Sequence, residues 1–196
     1  MTPRRAPREA LGGGRLKGGV FRTHLQWVRE HYGAEGVERL VQTLPAEPRK
    51  VLSGTILPTI WFPFEWLVLM DRKIMELFGG GSESLLAELG RYAAAINVST
   101  AQRMFDKSSA HKFFRHSALL HGQYQDFGKM TYEESGPSSG TIRQSDCRYF
   151  SRIFCGSALG YYVGCIESHA GKDARVTETI CCCFGDPACT FEMTWS

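Results

Sequence analysis

Cysteine is concentrated near the end of this 196-residue chain. Cys181, Cys182, Cys183 and Cys189, four of seven cysteines, flank Gly185-Asp186-Pro187, with Glu178 just upstream. Thiolates converging on one point beside a carboxylate suit a borderline-soft ion such as zinc. The competing reading is that buried cysteines fill space in a sheet as small hydrophobes. Cys-x7-Cys is looser than the usual Cys-x2-Cys knuckle, so spacing alone leaves both readings open. An odd number of thiols, in a sequence whose basic N-terminus is followed by no apolar run, argues for reduced thiols or metal ligands over a disulfide framework.

Two strands must carry these residues. Val176, Thr177, Thr179 and Ile180 alternate before the turn, and Phe191, Met193 and Trp195 after it. Gly185 tolerates positive φ and Pro187 fixes its own, so Gly-Asp-Pro reverses the chain and brings Cys181 and Cys189 opposite each other near a hairpin tip. The preceding helix, about 147–168, has Tyr149, Ile153, Leu159 and Ile166 as apolar anchors. Its small-residue strip (Gly156, Ala158, Gly160, Gly164) lets the helix lie close on a sheet, or leaves room for a ligand or a dimer partner. A further hairpin is expected from 129–135 and 141–145, joined by Gly136 to Gly140.

Upstream the periods are helical. Helices are expected over about 18–33, stopped by Gly33, and 35–44, stopped by Pro45. Trp61-Phe62 before Pro63 should be extended, ahead of a helix over 64–78. Ser82 caps a helix to about 98, and Ser108 or Ser109 one to about 127. The last carries His111, His116 and His121, whose five-residue spacing puts neighbours ~140° apart, so they do not converge as i, i+4 ligands do. Residues 1–17, with five basic residues, Pro3, Pro7 and Gly12-Gly13-Gly14, read as a flexible basic arm before a single domain, 18–196. The order of elements predicts an α+β fold, helices packed on one antiparallel sheet.

Composition narrows the function. Apolar residues are 43% and charged residues 22%, with a net charge of +3, too small to argue for nucleic acid. The most apolar stretch, Ile56 to Met70, is interrupted by Pro58, Pro63 and Glu65 and is too short to span a bilayer; a cytoplasmic protein is expected. No phosphate loop, nucleophile elbow or triad is present, so an enzyme is not expected. Aromatic density suggests a wall for a small apolar or aromatic molecule between helices and sheet, from Trp61, Phe62 and Trp66, from Phe114 and Tyr124, and from Tyr161. Ordinary core is the competing account, because aromatics dominate core burial anyway.

The C-terminal Glu-x2-Cys-x7-Cys pattern after a Gly-rich helix resembles the 4-vinyl-reductase-type small-molecule-binding domain and the sensor domain of phenol- and xylene-responsive activators. That resemblance implies a zinc site of Cys155, Glu178, Cys181 and Cys189. In a regular strand Glu178 and Cys181 would face opposite ways. The set therefore requires a bulge or a strand ending before Cys181, unless Cys182 or Cys183 is the ligand. The opening from Gly18-Gly19-Val20-Phe21 to Leu40 resembles a myxobacterial paralogous family and, more weakly, haem nitric-oxide-binding (H-NOX) domains. These are placed in one superfamily, which also includes vesicle-tethering subunits. It implies a ligand-sensing or signalling module that pairs as a homodimer and, ending just after Trp195, acts through a separate effector protein. A scaffold subunit and a haem gas sensor are the alternatives. H-NOX domains hold haem propionates with Tyr-x-Ser-x-Arg; Tyr149-Phe150-Ser151-Arg152 places Arg one residue early, ~100° around a helix, so haem is not expected.

Overall fold

A computed structural model describes residues 6–101, 109–170 and 173–196, with the side chains of 99–101 left aside. The C-terminal half is built on a four-stranded antiparallel sheet. Its strands are β3 (Lys129–Gly136), β4 (Ser139–Ser145), β5 (Arg175–Ile180) and β6 (Cys189–Thr194), in the order β3-β4-β6-β5. Ile142, Phe191 and Met193 are fully or almost fully buried on the face covered by helices α5 (Ala110–Tyr124) and α6 (Arg152–Ala170). Alternation of period two produces this one-sided burial: along β6, Phe191 and Met193 point in while Glu192 and Thr194 point out.

The N-terminal half is a helical lobe of α1 (Gly18–Gln42), α2 (Ala46–Leu52), α3 (Phe64–Phe78) and α4 (Ser84–Ala101). Phe21, Leu40, Phe64, Leu67, Met70, Ile74 and Leu89 form its core. Gly33 leaves helical geometry at φ 70°, ψ −172°, breaking α1 where the sequence placed a stop. One buried polar pair crosses this core: His24 Nδ1 on α1 lies 2.7 Å from Asp71 Oδ1 on α3, with Asp71 wholly buried.

Helices α4 and α6 join the two halves at very short range. A Cβ on Gly160 would come within 1.9 Å of the Ala87 carbonyl oxygen, and one on Gly90 equally close to that of Ser157. The small-residue strip of α6 is therefore covered by α4 of the same chain.

Several boundaries differ from expectation. Ser109 is the cap of α5, its hydroxyl accepting from Lys112 N at 3.4 Å, while Ser108 lies outside the described residues. That helix ends at Tyr124 because Gln125 turns extended. Helix α6 starts at Arg152, five residues later than expected from Cys147, because Ser151 caps it through Ile153 N. The stretch expected as a flexible arm is docked from Arg8 on, whose amide donates to the Cys183 carbonyl at 2.8 Å. Ala10 pairs with Phe150, and Arg15–Lys17 forms strand β1 against β2 (Trp61–Pro63). Leu16, 2% exposed, anchors it in the helical core, a burial that composition alone did not reveal.

Candidate metal centre

Strand β5 carries a register shift between Glu178 and Ile180 and then ends, leaving Cys181 at the entrance of a 3-10 turn, Cys182–Phe184. Bulge and strand end together rotate Cys181 onto the side of Glu178. Gly185 closes the turn at φ 101°, and Asp186 Oδ2 accepts from Cys181 N at 2.9 Å. Cys189 opens β6 opposite Gln144. Cys155 stands in the first turn of α6, its amide bonded to Ser151 O at 3.0 Å.

The structure brings all four of these residues together: one ligand atom each of Cys155, Glu178, Cys181 and Cys189 lies within 4.8 Å of the others. The sulfurs form a nearly equilateral triangle, Cys155–Cys181 3.8 Å, Cys155–Cys189 3.9 Å and Cys181–Cys189 3.9 Å. A tetrahedral zinc with bonds of about 2.3 Å places its sulfurs about 3.8 Å apart, so the triangle already has the edge lengths of such a site. The carboxylate meets the second requirement. Arg152 Nη1 donates to Glu178 Oε2, and Glu178 Oε1 is buried with no hydrogen-bond partner. A cation in the triangle would satisfy that orphaned acceptor.

The ionisable groups do not share one direction: Cys181 is pulled toward its charged form, whereas Glu178, Cys155 and Cys189 are pushed toward their neutral forms. Burial pushes the Glu178 carboxyl up to about 7, helped by the neighbouring Cys181 and opposed by Arg152. Hydrogen bonds from Cys155, Cys183 and Cys189 pull the Cys181 thiol well down, while Cys155, on the other end of the Cys181 contact, is pushed up. Cys182 N donates to Cys189 Sγ at 3.3 Å, a bond that favours the thiolate. Cys183 is buried in the turn, whereas Cys182 groups with Cys147 and Cys189. Arg152, Asp186 and Cys147 were not singled out from sequence as members of this site. Only the Gly-Asp-Pro turn gave a signal for any of them.

The six aromatic residues expected to line a pocket are distributed over both halves. Phe62 and Trp66 pack on the helical core, and Trp61 lies on β2 with Lys17 Nζ 3.9 Å from its ring centre. Phe114 and Tyr161 belong to the sheet-side core, and Tyr124 is 54% exposed. The two halves meet instead through Phe64, Phe127, Tyr149 and Phe154, with ring centres 4.9 Å (Phe64–Phe127), 5.2 Å (Phe64–Phe154) and 5.6 Å (Phe127–Tyr149) apart. Two clefts stand out among the described residues. One, of about 10 Å³, lies between Phe127, Tyr149, Cys147 and Cys189; the other, of about 220 Å³, opens beside Arg152, Glu178 and Cys181. None of the six aromatics lines either.

No protein-family profile matches the sequence, and no curated protein matches it. Solved structures do. An H-NOX protein from S. oneidensis in its Fe(II)NO ligation state superposes with a TM-score of 0.71 at 13% identity, over 91% of this chain and 98% of that one. A mutant H-NOX protein from K. algicida, Fe(II) and unliganded, gives 0.69 at 15% identity over 91% and 96%. A structure from work on haem distortion in the H-NOX family gives 0.71 at 14% over 92% and 95%. The chain thus has the H-NOX-like α+β fold, in line with the weaker of the two resemblances of its opening. No helix among the described residues is long and apolar enough to cross a membrane.

Proposed function

We propose that this chain is a non-catalytic sensing or signalling module of the H-NOX-like fold. In this reading a structural zinc ion, held by Cys155, Glu178, Cys181 and Cys189, clamps the start of α6 to the β5–β6 hairpin. The sulfur triangle with its orphaned Glu178 oxygen is the observation that carries this. Four protein ligands leave no open coordination position, which suits a structural role. The Glu-x2-Cys-x7-Cys pattern and the opening over 18–40 support placing the chain with the 4-vinyl-reductase-type and myxobacterial branches of the superfamily. Elemental analysis of the purified, reduced protein tests the clamp: at least one zinc per chain is expected, and none after replacing Cys181 and Cys189 by Ala. A wild type free of zinc overturns it.

The proposed module works without haem. Arg152, the arginine that follows Ser151 in Tyr149-Phe150-Ser151-Arg152, is engaged by Glu178. His111 is bonded to Tyr132 and the Pro137 carbonyl, and His121 to the Phe127 carbonyl. Rings fill the junction where the two halves meet. A Soret band after reconstitution with haemin, lost on replacing His111, His116 or His121, would overturn this part.

A second reading is an interaction or scaffold subunit without a small ligand. The filled junction favours it, because neither cleft reaches the roughly 300 Å³ of a small-molecule pocket. A thermal-shift screen of aromatic and lipid-like compounds separates the two. Stabilisation of the wild type by such a compound supports an apolar ligand; no stabilisation by any compound supports the scaffold. Native mass spectrometry reads the subunit count expected of a homodimer in the same preparation.

A further inference from the structure

We propose that Cys147, Cys182 and Cys189 form a second site for a thiophilic closed-shell ion of the zinc class, with Cys189 as a thiolate shared between two centres. The sulfurs of these three residues also lie within 4.8 Å of one another. The inference rests on the zinc reading of the first site, since Cys189 belongs to both groups.

The two centres draw on the same three structural sources. From the α6 side come Cys155 for the first and Cys147, on the loop leading into α6, for the second. From the turn come the consecutive residues Cys181 and Cys182, one at its entrance and one inside it. Cys189, at the start of β6, faces both. A thiolate has lone pairs enough to bridge two soft ions, and a trio of thiolates is the donor set that selects them.

Three thiolates leave one coordination position open, and the structure offers room for it. The void of about 10 Å³ is bounded by Cys147 and Cys189 and by the polar side chains of Gln125, Gln144 and Ser151. That is the space of a single water molecule with polar neighbours to hold it. Half-buried Cys147 gives an ion a route in, whereas Cys155, Cys181 and Cys189 are buried. Charge also fits. The two groups together offer six ligands, six negative charges when deprotonated, against two divalent ions and the Arg152 guanidinium.

The test is native mass spectrometry of the full chain titrated with Zn2+ under reducing conditions, for wild type, Cys147→Ser and Cys182→Ser. Two ions are expected on the wild type and one on each variant, with circular dichroism confirming that the variants fold. Because Cys147 is half-buried and on a loop, its variant decides the matter if Cys182→Ser does not fold. A wild type that saturates at one ion, or a Cys147→Ser protein that still holds two, overturns the second site and leaves the first standing. A wild type that binds none removes both.

Discussion

Arg152 holds Glu178 by one oxygen only. Its guanidinium donates to Oε2, and the other carboxylate oxygen is left buried and unpaired beside three sulfurs. Arg152 thus aims the carboxylate and offsets part of the negative charge of the cluster.

Arg152→Ala is accordingly expected to weaken zinc affinity by about 10- to 100-fold, the usual cost of losing a partner behind a metal ligand. Arg152→Lys should recover part of it. Competition against a chromophoric chelator measures both, and an Arg152→Ala protein with undiminished affinity would show that Glu178 needs no such support.

Chelating the zinc should loosen the junction between α6 and the hairpin without unfolding the helical lobe, which has its own core. Free ion at about 100 times its dissociation constant stabilises by about 2.7 kcal/mol. At about 2–4 °C per kcal/mol for a domain of this size, chelator should lower the melting temperature by roughly 5–11 °C. Differential scanning calorimetry with and without chelator reads this directly.

Gly160→Ala is expected to destabilise the fold by about 1–3 kcal/mol. Its new Cβ would meet the backbone of Ala87, and a helix backbone cannot step aside as a side chain can. Gly122→Ala is the control. It lies inside α5 with nothing within 4 Å of a new Cβ, and should gain about 0.5–1 kcal/mol from helix propensity. Urea denaturation of both variants should therefore give shifts of opposite sign.

His121 should contribute to acid sensitivity. Burial holds its pKa below the usual 6.5, although the hydrogen bond to the Phe127 carbonyl opposes the shift. A depressed value means that the unfolded chain binds the proton more readily. The contribution is present above 6.5 and is lost as pH falls through that value and on through the folded pKa. Replacing His121 by Gln, which keeps a donor for the Phe127 carbonyl, should flatten the stability difference between pH 7.5 and 5.5. An unchanged slope would mean that His121 keeps its unfolded-state pKa.

Much of this was set by local sequence. Alternation in 175–180 and 189–194 defined the last two strands, Gly33 the break in α1, Pro63 the start of α3, and Gly-Asp-Pro the turn that puts Cys181 opposite Cys189. These are short-range effects of φ/ψ preference and of burial period, so they can be read a few residues at a time. The bulge after Glu178 belongs to another class. It exists because β5 must pair with β6 while turning Cys181 toward Cys155, twenty-six residues earlier. The docking of Leu16, the closing of the α6 glycine strip by α4, and the entry of Cys147 and Arg152 into the cysteine cluster likewise depend on segments far apart in the chain. Which glycine meets a backbone, and which cysteine meets another, follows from the packing of whole elements, and that packing optimises burial over the entire molecule, beyond the reach of any local period.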